Sequence, residues 1–287
     1  MTRCLFVADL HGDPGRYAKL WQVIASERPD AVMLGGDLLP GLLADLFEPA
    51  AQRRDFVLDV LAAGFADLQR RLGDAYPRIF VILGNDDGRI HESTMRELEE
   101  RGLWHYAHGR RLALGPFRVY GYSYVPPTPF ALKDWERYDI SRHVEPGCVP
   151  PDEGRLSVRR ALSDSRYRTI QEDLEALTGG EPMGRAVLLF HAPPYQTKLD
   201  RAALDGQMID HAPLDVNIGS VAVRRFLEAR QPLVSLHGHV HESARLTGSW
   251  RDRIGKTVLF TAAHDGPELA VVRFDLERLD EACRLLL

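Results

Sequence analysis

Cysteine is scarce in this chain. The three cysteines, Cys4, Cys148 and Cys283, are an odd number and have no motif spacing. This pattern favours reduced thiols in a cytosolic protein over a disulfide framework. A chain of 287 residues buries about three quarters of its unfolded surface, so it needs no disulfide for stability. The composition, with 45% hydrophobic and 27% charged residues, is ordinary for a globular protein.

Long apolar runs and an excess of basic charge are also absent. No uninterrupted apolar run reaches membrane length, and no basic-then-apolar leader opens the chain. The default expectation is therefore a cytoplasmic protein without a membrane partner. The net charge is −5, whereas a general nucleic-acid binder is usually basic. Nucleic acid is thus not the favoured partner, although a local basic patch stays open.

Short apolar runs bounded by turn residues are the main pattern, and they predict strands buried on both faces. The runs that end at a polar or glycine-containing segment are 5–8, 31–34, 78–83, 186–190 and 233–236. Helical patterns alternate with them at 14–26, 51–72, 93–101 and 221–229. This alternation predicts an α/β sheet with parallel crossovers. Two later runs, 257–261 and 269–274, lack long helices and are expected to complete a second sheet.

The interval between Asn85 and His191 is longer than one crossover needs. It holds a stretch rich in proline and aromatic residues, followed by a helical pattern at 165–177. Loops of this length are usually functional lids or disordered, and disordered segments normally lack aromatic residues. We therefore predict a single domain over 1–287, with an ordered insertion over the site at 123–180.

Polar side chains that follow the predicted strands form a candidate metal centre. They are Asp9, His11, Asp37, Asn85, His191, His239 and His241. Mixed imidazole and carboxylate donors suit Mn, Fe, Zn or Co better than Ca or Mg. The set exceeds the roughly four ligands of a single zinc, and a carboxylate such as Asp37 can bridge two ions. The expected cofactor is therefore two divalent ions, Mn first, with Fe, Zn, Co or Ni as alternatives. Their charge exceeds that of the two carboxylates, which favours an anionic phosphate ester as substrate.

The motifs occur in a specific order: Asp9-x-His11, Gly36-Asp37, Gly84-Asn85, His191 and Gly238-His239-x-His241. In this order they resemble the calcineurin-like metallophosphoesterase superfamily, and 191–195 with Gly219-Ser220 is similar to its small bacterial and archaeal phosphoesterase branch. The resemblance implies an α/β fold of two stacked mixed β-sheets flanked by helices, an αββα sandwich. It also implies one metal held by Asp9, His11, Asp37 and His241, and a second held by Asp37, Asn85, His191 and His239.

One position departs from the family pattern. Most members have a histidine after the asparagine, whereas this chain has Asp86 after Asn85. The missing histidine usually protonates the leaving oxygen or stabilises the phosphoryl charge. Asp86 beside two cations is expected to stay ionised, so it cannot act as a general acid. The predicted catalytic positions are Asn85, Asp86 and His191. The predicted reaction is hydrolysis of phosphodiesters, or of esters with good leaving groups, by a metal-bridging hydroxide.

Predicted substrate-binding positions lie outside the metal ligands. Backbone donors at Gly219 and Ser220 could open the helix at 221–229 and bind an anion. The alternative is a plain N-cap by Ser220. His264, in a loop after a predicted strand, is a candidate substrate contact and a candidate replacement for the missing proton donor. Further candidates by residue type are His105, His108 and His237.

Two rival functions stay open. The first is a nuclease of the same chemistry, in which Arg155, Arg159 and Arg160 meet phosphates. The second is a non-catalytic scaffold that binds metals, and its support is Asp86 alone. The expected partner is a phosphate-ester small molecule or a nucleotide, and the sequence does not predict the oligomeric state.

Overall fold

Two six-stranded sheets form the centre of the fold. The computed structural model describes residues 1–41, 55–158 and 167–287. The first sheet contains, in spatial order, Cys283–Leu286 (β14), Ala270–Asp275 (β13), Arg3–Val7 (β1), Ala31–Gly35 (β2), Arg78–Ile82 (β3) and His105–Tyr106 (β4). The second contains Arg251–Ile254 (β11), Thr257–Thr261 (β12), Val234–His237 (β10), Ala186–Phe190 (β7), Phe117–Tyr122 (β6) and Arg111–Leu114 (β5). A separate hairpin pairs Met208–Ile209 (β8) with Ala212–Pro213 (β9).

Both sheets are mixed, with antiparallel pairing at one edge of the first sheet and at both edges of the second. β1 to β4 run parallel, and β13 and β14 pair antiparallel beside β1. In the second sheet β12, β10, β7 and β6 run parallel, with β11 and β5 antiparallel at the edges. This arrangement confirms the predicted fold class of two stacked mixed sheets flanked by helices.

The expectation for the tail was wrong in part. β11 and β12 do join the second sheet, but β13 and β14 extend the first. The physical reason is a long-range antiparallel pairing that places Arg3 opposite Asp275 and Phe6 opposite Val272. Nothing in the local apolar pattern specifies which of two sheets such a strand will join.

Helices connect the strands. They are Pro14–Glu27 (α1), a π-helical segment Phe56–Ala62 that continues into Ala63–Leu72 (α2), Glu92–Glu100 (α3), Ile170–Thr178 (α4), Val221–Arg230 (α5) and Ser243–Thr247 (α6). Short 3-10 turns occupy Gly73–Ala75, Arg89–His91 and Leu279–Glu281. α1 begins where the Asp13 carboxylate accepts the Arg16 N–H, with Pro14 at the first position. In these described ranges, no helix is both long and apolar enough to cross a membrane.

Alternate residues of the central strands pack into different layers. In β1, Phe6 packs into the cluster between the two sheets, whereas Leu5 and Val7 pack into the larger cluster that includes the helices. Each of these side chains is at most 2% exposed. Burial on both faces explains why the strands are continuous apolar runs in the sequence.

Isolated bridges join segments of the interval from 123 to 180. Val125 pairs with Glu136, and Leu132 pairs with Arg155, in isolated bridges. The predicted helix appears as Ile170–Thr178, and the predicted positions 165–166, like 51–54, Arg159 and Arg160, lie outside the described residues. The single domain over 1–287 and the role of 123–180 as a lid stay predictions.

Candidate metal centre

The predicted ligands meet because parallel strands end at the same edges of the sheets. Asp9 and His11 follow β1, Asp37 follows β2, Asn85 follows β3, His191 follows β7, and His239 and His241 follow β10. The structure brings them into two groups. Single ligand atoms of Asp9, His11, Asp37 and His241 lie within 4.8 Å of one another, and so do those of Asp37, His191 and His239. Asp37 belongs to both groups.

In the first group, two imidazoles face each other. The Nε2 atoms of His11 and His241 are 3.1 Å apart, and the His241 Nε2 is 3.5 Å from Asp9 Oδ1. The side chains of His11 and His241 are 28% and 35% exposed, so this group borders on solvent. The other Asp9 oxygen, Oδ2, is buried and has no hydrogen-bond partner among the described residues. A buried acceptor of this kind fits a metal ligand, because leaving it unpaired costs about 1–3 kcal/mol.

The second group is more deeply buried. The His191 Nε2 lies 3.1 Å from Asp37 Oδ2 and 3.1 Å from Asn85 Oδ1, which places Asn85 with this group. On the other side of its ring, His191 donates from Nδ1 to the Gly35 carbonyl at 2.8 Å. That bond orients the ring and leaves Nε2 on the side of the other ligands. The donor sets of both groups, carboxylate and amide oxygens with imidazole nitrogens, therefore fit divalent ions such as Mn, Fe or Zn.

Backbone strain is concentrated at these positions. Four of the predicted ligands have positive φ angles: Asp9 at 57°, His11 at 47°, Asp37 at 52° and His239 at 74°. Each non-glycine residue in this region costs on the order of 1–3 kcal/mol, and such residues cluster at functional sites. The observed strain supports a functional role for these turns.

Glycines allow the ligand loops to approach one another. A Cβ on Gly36 would lie 2.7 Å from His191 Nδ1, and one on Gly84 would lie 2.2 Å from Asp37 Oδ1. A Cβ on Gly238 would lie 2.7 Å from Asp9 Oδ2. The glycines of the motifs are therefore required by close approach of the ligands.

The carboxylates attract positive charge. Burial raises the pKa of Asp37, but the adjacent His191 outweighs burial and holds that pKa below its usual range. Burial lowers the pKa of His191, yet Asp37 raises it to about 10. Burial also lowers the pKa of His241, but the Asp9 carboxylate outweighs burial and raises that pKa to about 9. Protons on these two imidazoles, or a bound cation, can balance the carboxylate charge.

The two residues after Asn85 have different roles. The buried Asp87 accepts backbone N–H groups from Leu38, Leu39 and Gly84 at 2.8–3.1 Å, so it holds the loops that follow β2 and β3. Asp86 lies at the rim, with its side chain 43% exposed and Oδ2 3.7 Å from His11 Nδ1. In the protein alone, burial and then the Asp37 charge raise the pKa of Asp86. Cations bound at the ligand groups would lower the pKa of Asp86.

The N-terminus of α5, which is predicted to bind an anion, already donates hydrogen bonds to two carboxylates of the protein. Gly219 N–H donates to Asp200 at 3.2 Å, and Val221 N–H donates to Asp139 at 2.7 Å. The Ser220 hydroxyl donates to Asp139 at 2.5 Å while capping α5. The alternative of a plain N-cap by Ser220 is therefore observed. Substrate binding at Gly219 and Ser220 stays a prediction that would require displacement of Asp139.

His264 is paired within its own loop. Its Nε2 lies 2.9 Å from Glu268 Oε2. Arg16 ties this loop to the first ligand turn, donating to the carbonyls of Gly266 at 2.6 Å and Asp9 at 2.7 Å. Sequence reasoning missed Arg16, although a cation in the first turn of α1 opposes the helix dipole and signals a partner elsewhere. A substrate role for His264 stays a prediction.

The other candidate proton donors are engaged elsewhere in the fold. His105 lies 3.2 Å from the Arg78 guanidinium, and His108 Nδ1 accepts the Ser123 N–H at 3.0 Å. His237 is fully buried, and burial lowers its pKa to about 3. A ring that stays neutral at ordinary pH is a poor replacement for a general acid.

Known structures and a family model place the chain in context. No curated protein matches it. One solved structure is 18% identical over 99% of this chain and 98% of its own, with a TM-score of 0.62. TT1561 of Thermus thermophilus is 17% identical over 99% of this chain and 98% of its own, with a TM-score of 0.56. A dimetal phosphatase from Danio rerio is 14% identical over 94% of this chain and 92% of its own, with a TM-score of 0.47. At such identities the first two likenesses show the fold alone, and the third carries no argument. The family model for calcineurin-like phosphoesterase matches residues 2–243, and the chain therefore belongs to the calcineurin-like phosphoesterase family.

Proposed function

We propose that the chain hydrolyses phosphodiesters with two divalent metal ions. Membership of the family implies a phosphate-ester hydrolase. The finer proposal is carried by Asp37, whose carboxylate belongs to both ligand groups. A shared carboxylate can bridge two ions about 3.5–4 Å apart, as in phosphatases and nucleases. The donor chemistry favours Mn first, with Fe, Zn, Co or Ni as alternatives.

The ligand residues contribute charge and orientation. When bound, the two ions would supply Lewis acidity and lower the pKa of a water molecule. Asp9 and Asp37 contribute the negative charge of the ligand set. Asn85 adds a neutral amide oxygen and His191 a ring already oriented by the Gly35 carbonyl. Because two carboxylates only partly offset two divalent ions, the site keeps a net positive charge that attracts the phosphate ester.

Asp86 supports the preference for diesters. Its carboxylate lies at the solvent-facing rim beside the first ligand group. An ionised carboxylate cannot protonate a leaving oxygen, and it repels the second negative charge of a monoester. A diester carries one negative charge, and one with a good leaving group needs little help from a proton donor.

The experiment compares two substrates with the same leaving group, bis-p-nitrophenyl phosphate and p-nitrophenyl phosphate. Metal-stripped protein reloaded with Mn²⁺ is expected to hydrolyse the diester faster, and Asp37→Asn is expected to abolish hydrolysis. A large monoester preference would contradict the diester assignment. If protein shown to hold two ions hydrolyses neither substrate, the non-catalytic scaffold would instead be favoured.

A further inference from the structure

Asp86 is held among the predicted ligands by its own backbone. Its N–H donates to Asp37 Oδ1 at 2.8 Å, so the residue is fixed to the carboxylate that the two ligand groups share. The side chain is then placed between the groups. Its two carboxylate oxygens face different neighbours.

The first oxygen faces Asn85. Asp86 Oδ1 accepts from the Asn85 amide nitrogen at 3.1 Å. An amide has one oxygen and one NH₂, so a bond at the nitrogen determines which end points the other way. The Asn85 oxygen accordingly points to the second group, 3.1 Å from His191 Nε2. Asp86 thus favours the orientation in which Asn85 offers an oxygen to a metal.

The second oxygen faces His11. Asp86 Oδ2 lies 3.7 Å from His11 Nδ1, an ion-pair separation. The opposite ring nitrogen, Nε2, faces His241 in the first group at 3.1 Å. Histidines that bind metals usually donate their other ring N–H to a carboxylate, a carbonyl or water, which fixes the tautomer. The Asp86 carboxylate therefore lies on the Nδ1 side of the His11 ring, and Nε2 faces the other ligands of the first group.

We propose that Asp86 is a positioning residue for both ligand groups, orienting the Asn85 amide for one metal and the His11 ring for the other. The inference rests on the proposed two-metal function. In this proposal Asp86, which stands where most of the family has a histidine, orients metal ligands and does not donate a proton. His191 has the equivalent support from the Gly35 carbonyl, whereas in the described structure the Nδ1 of His11 faces Asp86.

The test measures metal affinity by competition with a chelator, using Mn²⁺ and Zn²⁺ separately on metal-stripped full-length protein. Asp86→Ala is expected to weaken binding of both ions by about 10–100-fold, the usual cost of removing such a partner. Asp86→Asn removes the charge but keeps one acceptor oxygen, so its loss should be smaller. Asp67→Ala removes an exposed carboxylate of α2 that pairs with Arg70, and it should change affinity by no more than about twofold.

Two further readouts separate positioning from simple charge loss. In Zn²⁺-loaded protein labelled with ¹⁵N, the wild type should carry the His11 proton on Nδ1, and Asp86→Ala should lose that single tautomer. In the double mutant with His11→Ala, Asp86→Ala should cause no further loss at the first site, because effects of coupled residues are not additive. Circular dichroism checks that each variant is folded.

The inference is overturned if Asp86→Ala matches Asp67→Ala in affinity for both ions and leaves the His11 tautomer unchanged. Asp37→Asn distinguishes this failure from failure of the proposed function. If Asp37→Asn loses its ions while Asp86→Ala keeps them, only the positioning role of Asp86 is rejected. Binding of two ions by Asp37→Asn as in the wild type would reject the shared metal site itself.

Discussion

The two ligand groups differ in how the fold supports them. In the second group, Asp37 and His191 are at most 2% exposed, and the His191 ring is oriented by a backbone carbonyl. In the first group, His11 and His241 reach the surface, and His11 faces only a side-chain carboxylate on its Nδ1 side in the described structure. Backbone support is part of the fold, whereas a rim side chain can rotate. We therefore expect the second group to hold its ion more tightly and the first to exchange its ion more readily.

The largest effect should come from removing the ligand that the groups share. Asp37→Asn would eliminate the difference between them, because both lose a bridging carboxylate. We expect affinity for each ion to fall by more than the about 10–100-fold cost of losing an outer partner of a ligand. Metal content after dialysis measures this, with Asp67→Asn as the control. Retention of two ions would contradict the shared site.

A second comparison sharpens the difference in burial. In metal-free protein, His191→Ala removes the imidazole beside the buried Asp37 carboxylate, which should cost about 3–5 kcal/mol. His241→Ala removes the imidazole beside the buried Asp9 carboxylate, but the His241 side chain is 35% exposed. Asp9 Oδ1 also keeps the N–H of His239, so the expected cost is smaller, about 1–3 kcal/mol. Urea denaturation compares the two variants. Equal losses would show that the groups are supported alike.

A smaller effect is expected from crowding the second group. Gly84→Ala places a Cβ 2.2 Å from Asp37 Oδ1 and 2.5 Å from its backbone N, which should destabilise the fold by about 1–3 kcal/mol. Gly180 has nothing within 4 Å of an added Cβ, so Gly180→Ala serves as the matched control and should stay within about 0.5 kcal/mol. Thermal unfolding of both variants tests this. A tolerated Gly84→Ala would mean that the loops can move apart.

A graded effect is expected from pH. The pKa of His191 is raised to about 10 and that of His241 to about 9, so both rings carry protons that a metal must displace. Metal affinity should therefore tighten by about tenfold per pH unit for each displaced proton as pH rises from about 6 to about 8. Chelator competition at constant ionic strength measures the slope, and a flat profile would contradict it.

The same raised pKa values predict the pH dependence of the metal-free protein. A histidine with a raised pKa stabilises the fold below its unfolded value, and that contribution is lost as pH rises through the folded pKa. The metal-free protein should thus lose stability as pH approaches about 9 to about 10. The metal-loaded protein, whose imidazoles are already neutral, should not.

The positions of the ligands could be predicted because each one follows a buried strand. Asp37 and His191 are polar residues at the ends of continuous apolar runs, and this change of character is visible without a structure. The family resemblance then grouped them, and its family assignment is confirmed. The helix at 14–26 could be predicted for a similar reason, since Asp13 and Pro14 mark its start.

Contacts between distant segments could not be predicted. The edge strands β4, β5 and β14 have only two to four residues each, too few for a strand pattern to stand out. The sheet that β13 joins depends on pairing with β1, across most of the chain. Asp139 reaches the α5 N-terminus across 82 residues, so no local motif shows that the predicted anion site receives an internal carboxylate.

We propose that Asp37 joins the two ligand groups into one dinuclear centre. Titration of metal-stripped protein with Mn²⁺, followed by electron paramagnetic resonance, distinguishes a coupled pair of ions from two separate ones. The first equivalent should give the signal of an isolated ion, and the second should convert it to that of an exchange-coupled pair, with coupling lost in Asp37→Asn. Two independent Mn²⁺ signals at full loading, or saturation at one equivalent, would contradict it.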